Sequence, residues 1–277
     1  MSPRRRQVFT AAAVQMRSTT DRERNLALAE RLAARAAAAG AELIAFPENV
    51  AYLRREGEAA PPAEPRSGPT FRRFAAMAKK HGVHVLAGSI AERGGRRGRV
   101  YNTSVLFGPD GRAAAAYRKM HLFDVAIGDQ AVFRESAFVQ AGERPVVART
   151  PLGPLGLSIC YDLRFPELYR RLTLRGATVL LVPSAFTAYT GRFHWTALLR
   201  ARAIENLAWV IAPAQWGTHH PGRVSYGHTA IVDPWGEVVA EKARGDGVVV
   251  ASIDLDRQAE IRRELPALRH VRRTLLS

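Results

Sequence analysis

Short apolar runs, each halted by a polar or proline residue and followed by a helix-opening signal, recur in two rounds along this chain. That alternation restricts it to an α/β fold. The first round has an apolar strand at 8–16 and a helix at 22–39, opened by Thr20-Asp21-Arg22-Glu23 and ended by Gly40. A strand at 41–48 follows. After a loop rich in Pro, Gly and Glu at 54–69 come a helix at 70–81 and a strand at 83–90. A hairpin then pairs 100–107 with 112–122 across Gly108-Pro109-Asp110-Gly111. The second round has a strand at 155–160, a helix at 167–175 opened by Pro166 and ended by Gly176, and a strand at 178–184. A helix at 191–206, a strand at 208–215, and a hairpin of 229–232 with 237–241 turning at Asp233-Pro234-Trp235-Gly236 complete it. Two βαβαββ-like halves, whose strands cannot bury both faces alone, predict two sheets packed between outer helices. The expected architecture is a four-layer α-β-β-α sandwich, a single domain over 1–277 with its core at about 8–270.

Cys160 is the one cysteine in 277 residues. A lone cysteine is ordinarily a small buried hydrophobe, and it leaves no intrachain disulfide and no CxxC pair for zinc or redox work. Its placement points elsewhere. The run Leu155-Gly156-Leu157-Ser158-Ile159-Cys160 stops at the thiol and turns into a helix, which presents it at the carboxyl rim of a sheet, where α/β proteins bind substrates. Groups able to activate a thiol stand at other strand ends. Glu48 follows a strand stopped by Pro47. In the strand through Tyr117-Arg118-Lys119-Met120-His121-Leu122, alternation puts Tyr117, Lys119 and His121 on one face and Arg118 on the other. Asp162, Arg164 and Glu167 crowd the cysteine and read as an ion-paired network that fixes the turn. The pairs His81 and His84, and His219 and His220, lack a third ligand at metal spacing. Gly94-Gly95-Arg96-Arg97-Gly98 is followed by no helix with dinucleotide spacing. No G-x-S-x-G elbow occurs either.

Three segments in order, Phe46-Pro47-Glu48-Asn49, Tyr117-Arg118-Lys119-Met120-His121-Leu122 and Ile159-Cys160-Tyr161-Asp162-Leu163-Arg164-Phe165-Pro166-Glu167, resemble the nitrilase superfamily of carbon–nitrogen hydrolases. The resemblance runs from about residue 8 to 270. It implies the sandwich fold already expected and a triad of Glu48 as general base, Lys119 as transition-state lysine and Cys160 as nucleophile. Glu135, in Phe133-Arg134-Glu135-Ser136, matches a second glutamate that many members place beside the triad. The implied reaction is acyl transfer through a thioester, with Lys119 and the backbone N–H of Tyr161 holding the oxyanion. No metal or organic cofactor is implied. Pro183-Ser184-Ala185-Phe186, Arg192-Phe193-His194-Trp195, Ala214-Gln215-Trp216-Gly217-Thr218-His219-His220 and Ser225-Tyr226-Gly227-His228 resemble the subgroup that hydrolyses deaminated glutathione to 2-oxoglutarate and cysteinylglycine. The neighbouring subgroup, ω-amidase acting on 2-oxoglutaramate, and hydrolases of other small amides or N-carbamoyl compounds are the alternatives. Ser184, Ala185, Phe186, Tyr161, His121 and His228 become candidate substrate contacts. Two departures bear on the substrate: Phe193 stands where alanine is usual before His-Trp, and Val125-Ala126-Ile127-Gly128-Asp129-Gln130 is not a close copy.

Charge and composition exclude other classes. The net charge is +16, from 41 basic and 25 acidic residues. The basic residues are nevertheless scattered, without the stripe and interleaved aromatics of a nucleic-acid surface, so no nucleic-acid partner is expected. A small polyanionic substrate suits the charge better. Arg4-Arg5-Arg6 is followed by too short an apolar run for an export signal, and no stretch approaches the roughly 20 apolar residues of a membrane span. A cytoplasmic protein with no membrane partner, its thiol kept reduced, and a homodimer by family habit are the expectations.

Overall fold

Alternation along the first strand, Val8–Gln15, sets the layers. Ala11 and Ala13 pack with Leu43, Ala45, Leu86 and Tyr117 and with residues of a second sheet. Ala12 and Val14 face the other way, onto Leu26, Ala29, Phe71 and Phe74 of two outer helices. The computed structural model describes residues 7–55, 57–58, 60–127, 131–272 and 274; Arg4-Arg5-Arg6 and Gly128-Asp129-Gln130 lie outside them.

Among the described residues, seven strands form the first sheet and six the second. In the first, Val8–Gln15, Leu43–Ala45 and His84–Leu86 run parallel, joined through helices Arg22–Ala38 and Pro69–His81. Val100–Phe107 then turns antiparallel and pairs with Ile90–Arg93 and Ala113–Arg118. In the second, Gly153–Leu157, Val179–Leu181 and Trp209–Ala212 are the parallel set, joined through helices Pro166–Leu174 and Ala188–Asn206. Thr229–Val232 and Val238–Lys242 are its antiparallel hairpin. The two rounds read from sequence are therefore real, and the α-β-β-α order holds. No helix among the described residues is long and apolar enough to cross a membrane.

The helix starts follow from their caps. Asp21 accepts from the Arg24 N–H at 3.0 Å and opens the first helix. The second begins after Gly68, which has no side chain to offer. Buried Glu64 does the capping from a distance, accepting from the N–H groups of Thr70 at 2.7 Å and Phe71 at 3.2 Å.

The structure departs from the sequence expectation in three ways. The strand expected to reach Leu122 ends at Arg118, so the strict alternation through Lys119 and His121 is lost. The parallel strands are short: Val179–Leu181 occupies the middle of the 178–184 run. Segments that gave no sequence signal form the strands Val146–Thr150 and Gly247–Asp254 and the helix Leu255–Glu264. Gly247–Asp254 crosses from the second half to pair antiparallel with the first strand over its whole length, Val8 opposite Asp254 and Gln15 opposite Gly247.

Candidate active site

Cys160 lies past the end of the central strand Gly153–Leu157, at the start of a short 3₁₀ turn, Cys160–Arg164. Its φ is +48°, in the left-handed region that costs a residue with a Cβ of order 1–3 kcal/mol. The neighbourhood holds it there. The Cys160 N–H donates to Pro183 O at 2.9 Å and that of Asp162 to Ile159 O at 3.1 Å. The wholly buried Asp162 carboxylate accepts from the Ile159 N–H (2.8 Å), Tyr117 Oη (2.7 Å) and the His121 N–H (3.0 Å), and pairs with His121 Nδ1 at 2.7 Å. Buried Arg202 donates twice to Leu163 O, at 3.0 and 2.8 Å. The turn is thus fixed by Asp162 and Arg202. Arg164 and Glu167 are not the ion partners expected from sequence: Arg164 lies over the rings of Tyr161 and Phe186.

Glu48 arrives from the first sheet. The strand Leu43–Ala45 ends, the Phe46 N–H bonds Leu86 O, and Pro47 stops the ladder. Gly88 lets the next strand approach, because a Cβ there would stand 2.0 Å from Pro47 O. Gln215, from the second half, donates to Glu48 O at 3.0 Å. Lys119 follows the last residue of its strand and keeps one more ladder bond, its N–H to Asn102 O at 2.9 Å. Its Nζ donates to Glu48 Oε1 at 2.9 Å and to Glu135 Oε1 and Oε2 at 3.1 and 2.9 Å. Glu135 opens a single 3₁₀ turn and is steadied by the Phe123 N–H at 2.7 Å. The other Glu48 oxygen accepts from the Ala185 N–H at 2.9 Å.

Sequence reasoning missed Asn102. Its Nδ2 bridges the carboxylates, 3.0 Å from Glu48 and 3.4 Å from Glu135. The signal was present, since Asn102-Thr103-Ser104 is a polar step inside the otherwise apolar strand Val100–Phe107.

Electrostatics decide the resting protonation. Burial opposes charge on Glu48, but the Lys119 ammonium, the Cys160 thiol and the Ala185 N–H outweigh it and hold its carboxyl below the usual 4.5. Burial likewise opposes the Lys119 ammonium, and the Glu135 and Glu48 carboxylates overcome it, raising it well above the usual lysine value. Burial and the Glu48 charge push the Cys160 thiol far up, and Lys119 offsets this only in part. Two carboxylates against one ammonium leave no surplus positive charge for a thiolate. Cys160 therefore rests as a thiol, with Glu48 beside it as the group to take its proton.

These groups line an open cleft whose space, counted with the solvent at its mouth, is about 930 Å³. Tyr161, Ala185 and Phe186 line it, with Glu48, Lys119, Glu135 and Cys160. Ser184, His121 and His228 do not. Ser184 Oγ donates to Val182 O at 3.1 Å. His121 stacks on Phe165 at 3.8 Å and is spent on Asp162. His228 has φ +55°, stacks on Tyr226 and pairs with Glu241. No group of three or more His, Cys, Asp or Glu among the described residues is placed to hold a metal ion.

Comparison with known proteins follows the same lines. Residues 10–263 match the family model described as carbon-nitrogen hydrolase. A Synechocystis protein named deaminated glutathione amidase is 46% identical over 95% of this chain and 97% of its own. The crystal structure of the C. elegans NitFhit protein superposes with a TM-score of 0.87 at 36% identity, covering 97% of this chain and 66% of that one, so this chain spans about two thirds of its length. A glutamate-to-glutamine mutant of the amidase from Nesterenkonia sp. AN1, showing covalent addition of the acetamide moiety of fluoroacetamide at the active-site cysteine, superposes with a TM-score of 0.75 at 26% identity over 95% of this chain and 98% of its own. This chain belongs to the carbon-nitrogen hydrolase family.

Proposed function

We propose that this enzyme hydrolyses an amide C–N bond of a small carboxylate-bearing substrate, deaminated glutathione in the first instance, with Cys160 as nucleophile. The observation that carries the reading is Lys119 Nζ held 2.9 Å from both Glu48 and Glu135 in an open cleft that Cys160 also lines. The name of the Synechocystis relative supports the choice of substrate.

Because the thiol is neutral at rest, attack and proton transfer occur together. Cys160 Sγ bonds to the amide carbon while its proton passes to Glu48, and the carbonyl electrons move onto oxygen. Lys119 and the Tyr161 N–H hold that oxyanion. The N–H groups on either side are committed to Pro183 O and Ile159 O. Collapse breaks the C–N bond, and Glu48 returns the proton to the leaving amine. Water, deprotonated by Glu48, then cleaves the thioester to the acid and restores the thiol. Glu135 keeps Lys119 and Glu48 in register. We read the chain as a single domain that works as a cytoplasmic homodimer, a state that light scattering on the purified protein tests.

Intact-mass spectrometry after a short substrate pulse tests the chemistry, with an acyl adduct expected on Cys160. Absence of an adduct with every amide tried, in a folded protein, overturns the mechanism. Turnover of deaminated glutathione should exceed that of 2-oxoglutaramate in kcat/KM. The reverse order makes the chain an ω-amidase.

A further inference from the structure

Asn102 touches Glu48, Glu135 and Lys119, yet it carries no charge and gives up no proton. Its Nδ2 donates to Glu48 Oε1 at 3.0 Å and reaches Glu135 Oε1 at 3.4 Å. Its carbonyl oxygen accepts from the Lys119 N–H at 2.9 Å. The residue lies within Val100–Phe107, opposite Ala91 of the neighbouring strand, and is only 6% exposed. Sheet hydrogen bonding, not a loop, therefore holds it in place.

The contact bears on the lone pairs of Glu48. Each oxygen of a carboxylate has two lone-pair sites. Oε1 fills both, with Lys119 Nζ at 2.9 Å and Asn102 Nδ2. Oε2 accepts from the Ala185 N–H at 2.9 Å and keeps its second site for the thiol proton. Without Asn102 each oxygen would have one open site, and the proton would have two destinations. The kind of donor matters as well. Glu48, Glu135 and Lys119 together carry one net negative charge. A second cation in place of the amide would cancel it and weaken Glu48 as a base, whereas an amide binds both carboxylates without adding charge.

We propose that Asn102 is a positioning residue that fills Glu48 Oε1 and ties that carboxylate to Glu135, so that Oε2 alone receives the Cys160 proton. In acylation the S–H bond breaks as the S–C bond forms, and the proton passes to Oε2. Collapse of the tetrahedral adduct breaks the C–N bond and returns that proton from Oε2 to the leaving nitrogen. This rests on reading the cleft as an amidase site. It goes further by assigning the proton path to one oxygen, and its selection to a neutral side chain.

Asn102→Leu keeps the approximate volume and removes the donor. In the full chain, kcat for deaminated glutathione should fall roughly ten- to hundredfold, the loss expected for a hydrogen bond to a charged group, with KM within about threefold. The pH profile separates this role from a structural one. The titratable groups facing Glu48 are Lys119, Cys160 and, across Lys119 and Asn102, Glu135; all three remain in the variant. A carboxylate that loses a donor protonates more readily, so the acid limb of kcat/KM should move up by about one pH unit. Asn102→Ser puts folding at less risk, is too short to bridge the carboxylates, and should move the limb in the same direction. Cys160 is the one cysteine in the chain, so its alkylation by iodoacetamide, followed by intact mass, reads the same proton transfer without turnover. The alkylation rate should show the same limb and the same shift.

A fall in kcat with the limb unmoved, in protein that melts cooperatively, would make Asn102 merely structural. Unchanged kcat with an unmoved limb would make it idle. Either result overturns the proposal and leaves the amidase reading intact. Alkylation limbs that shift as described, in a protein that hydrolyses no amide, would instead refute the amidase reading alone.

Discussion

The loops that follow the second parallel strand of each half are the same turn put to two uses. In the first half Leu43–Ala45 runs into Phe46-Pro47-Glu48-Asn49; in the second Val179–Leu181 runs into Val182-Pro183-Ser184-Ala185. Each begins with an N–H bonded to the next parallel strand, Phe46 to Leu86 O and Val182 to Ile211 O. Face to face across the sandwich, one supplies a side chain and the other a backbone donor: the Glu48 carboxylate accepts from the Ala185 N–H. Ser184, in the place equivalent to Glu48, turns its hydroxyl back onto its own strand. A duplicated framework thus places two similar positions at one site, and residue identity decides which of them reacts.

Exchanging these positions gives the sharpest contrasts. Glu48→Gln keeps the shape and the acceptor for Ala185 but removes the base. It should lower kcat about 10²–10⁴-fold in a protein that still melts cooperatively. The same variant tests the electrostatics. A carboxyl held below 4.5 in the folded state stabilises the protein above that pH, and the contribution is lost as pH falls through the folded value. The Tm gap between wild type and Glu48→Gln should therefore be constant above pH 5 and close on further acidification. A gap that widens there would contradict the assignment.

Lys119→Ala removes an oxyanion donor, worth about 2.7–4 kcal/mol of barrier. It also strands the buried Glu48 carboxylate and the part-buried Glu135, at about 3–5 kcal/mol of stability; denaturant melts and kcat should both register the loss. Tyr117→Phe takes one donor from buried Asp162, and chemical denaturation should show about 1–3 kcal/mol of destabilisation with a smaller effect on turnover. Ser184→Ala should be the mildest, about 1 kcal/mol in stability and kcat within a few-fold. If Ser184→Ala matched Glu48→Gln in activity loss, the division of labour between the two loops would be wrong.

Much of the molecule was legible because local signals and tertiary demands coincide. Pro166 and Gly176 bracket the third helix, Asp21 caps the first, and Pro47 stops the strand that carries Glu48. At the floor of the site Glu48 and Cys160 were read from strand ends, whereas Lys119 was placed inside a strand expected to reach Leu122 and Glu135 came only from the family resemblance. The histidines were not. Period-two reasoning carried past Arg118 put His121 beside Lys119, whereas the chain leaves the sheet there and Asp162 captures the ring. His228 was placed by its neighbours in sequence, and a left-handed backbone turns it toward Glu241.

The crossing of Gly247–Asp254 into the first sheet has a consequence for biogenesis. Until residue 254 has left the ribosome, the strand Val8–Gln15 has an unpaired edge on the side away from Leu43–Ala45, open to any other extended chain. The N-terminal half must wait with that edge bare while the C-terminal half is translated. Nascent-chain aggregation, or dependence on a holdase, should therefore peak in truncations that stop just short of this strand.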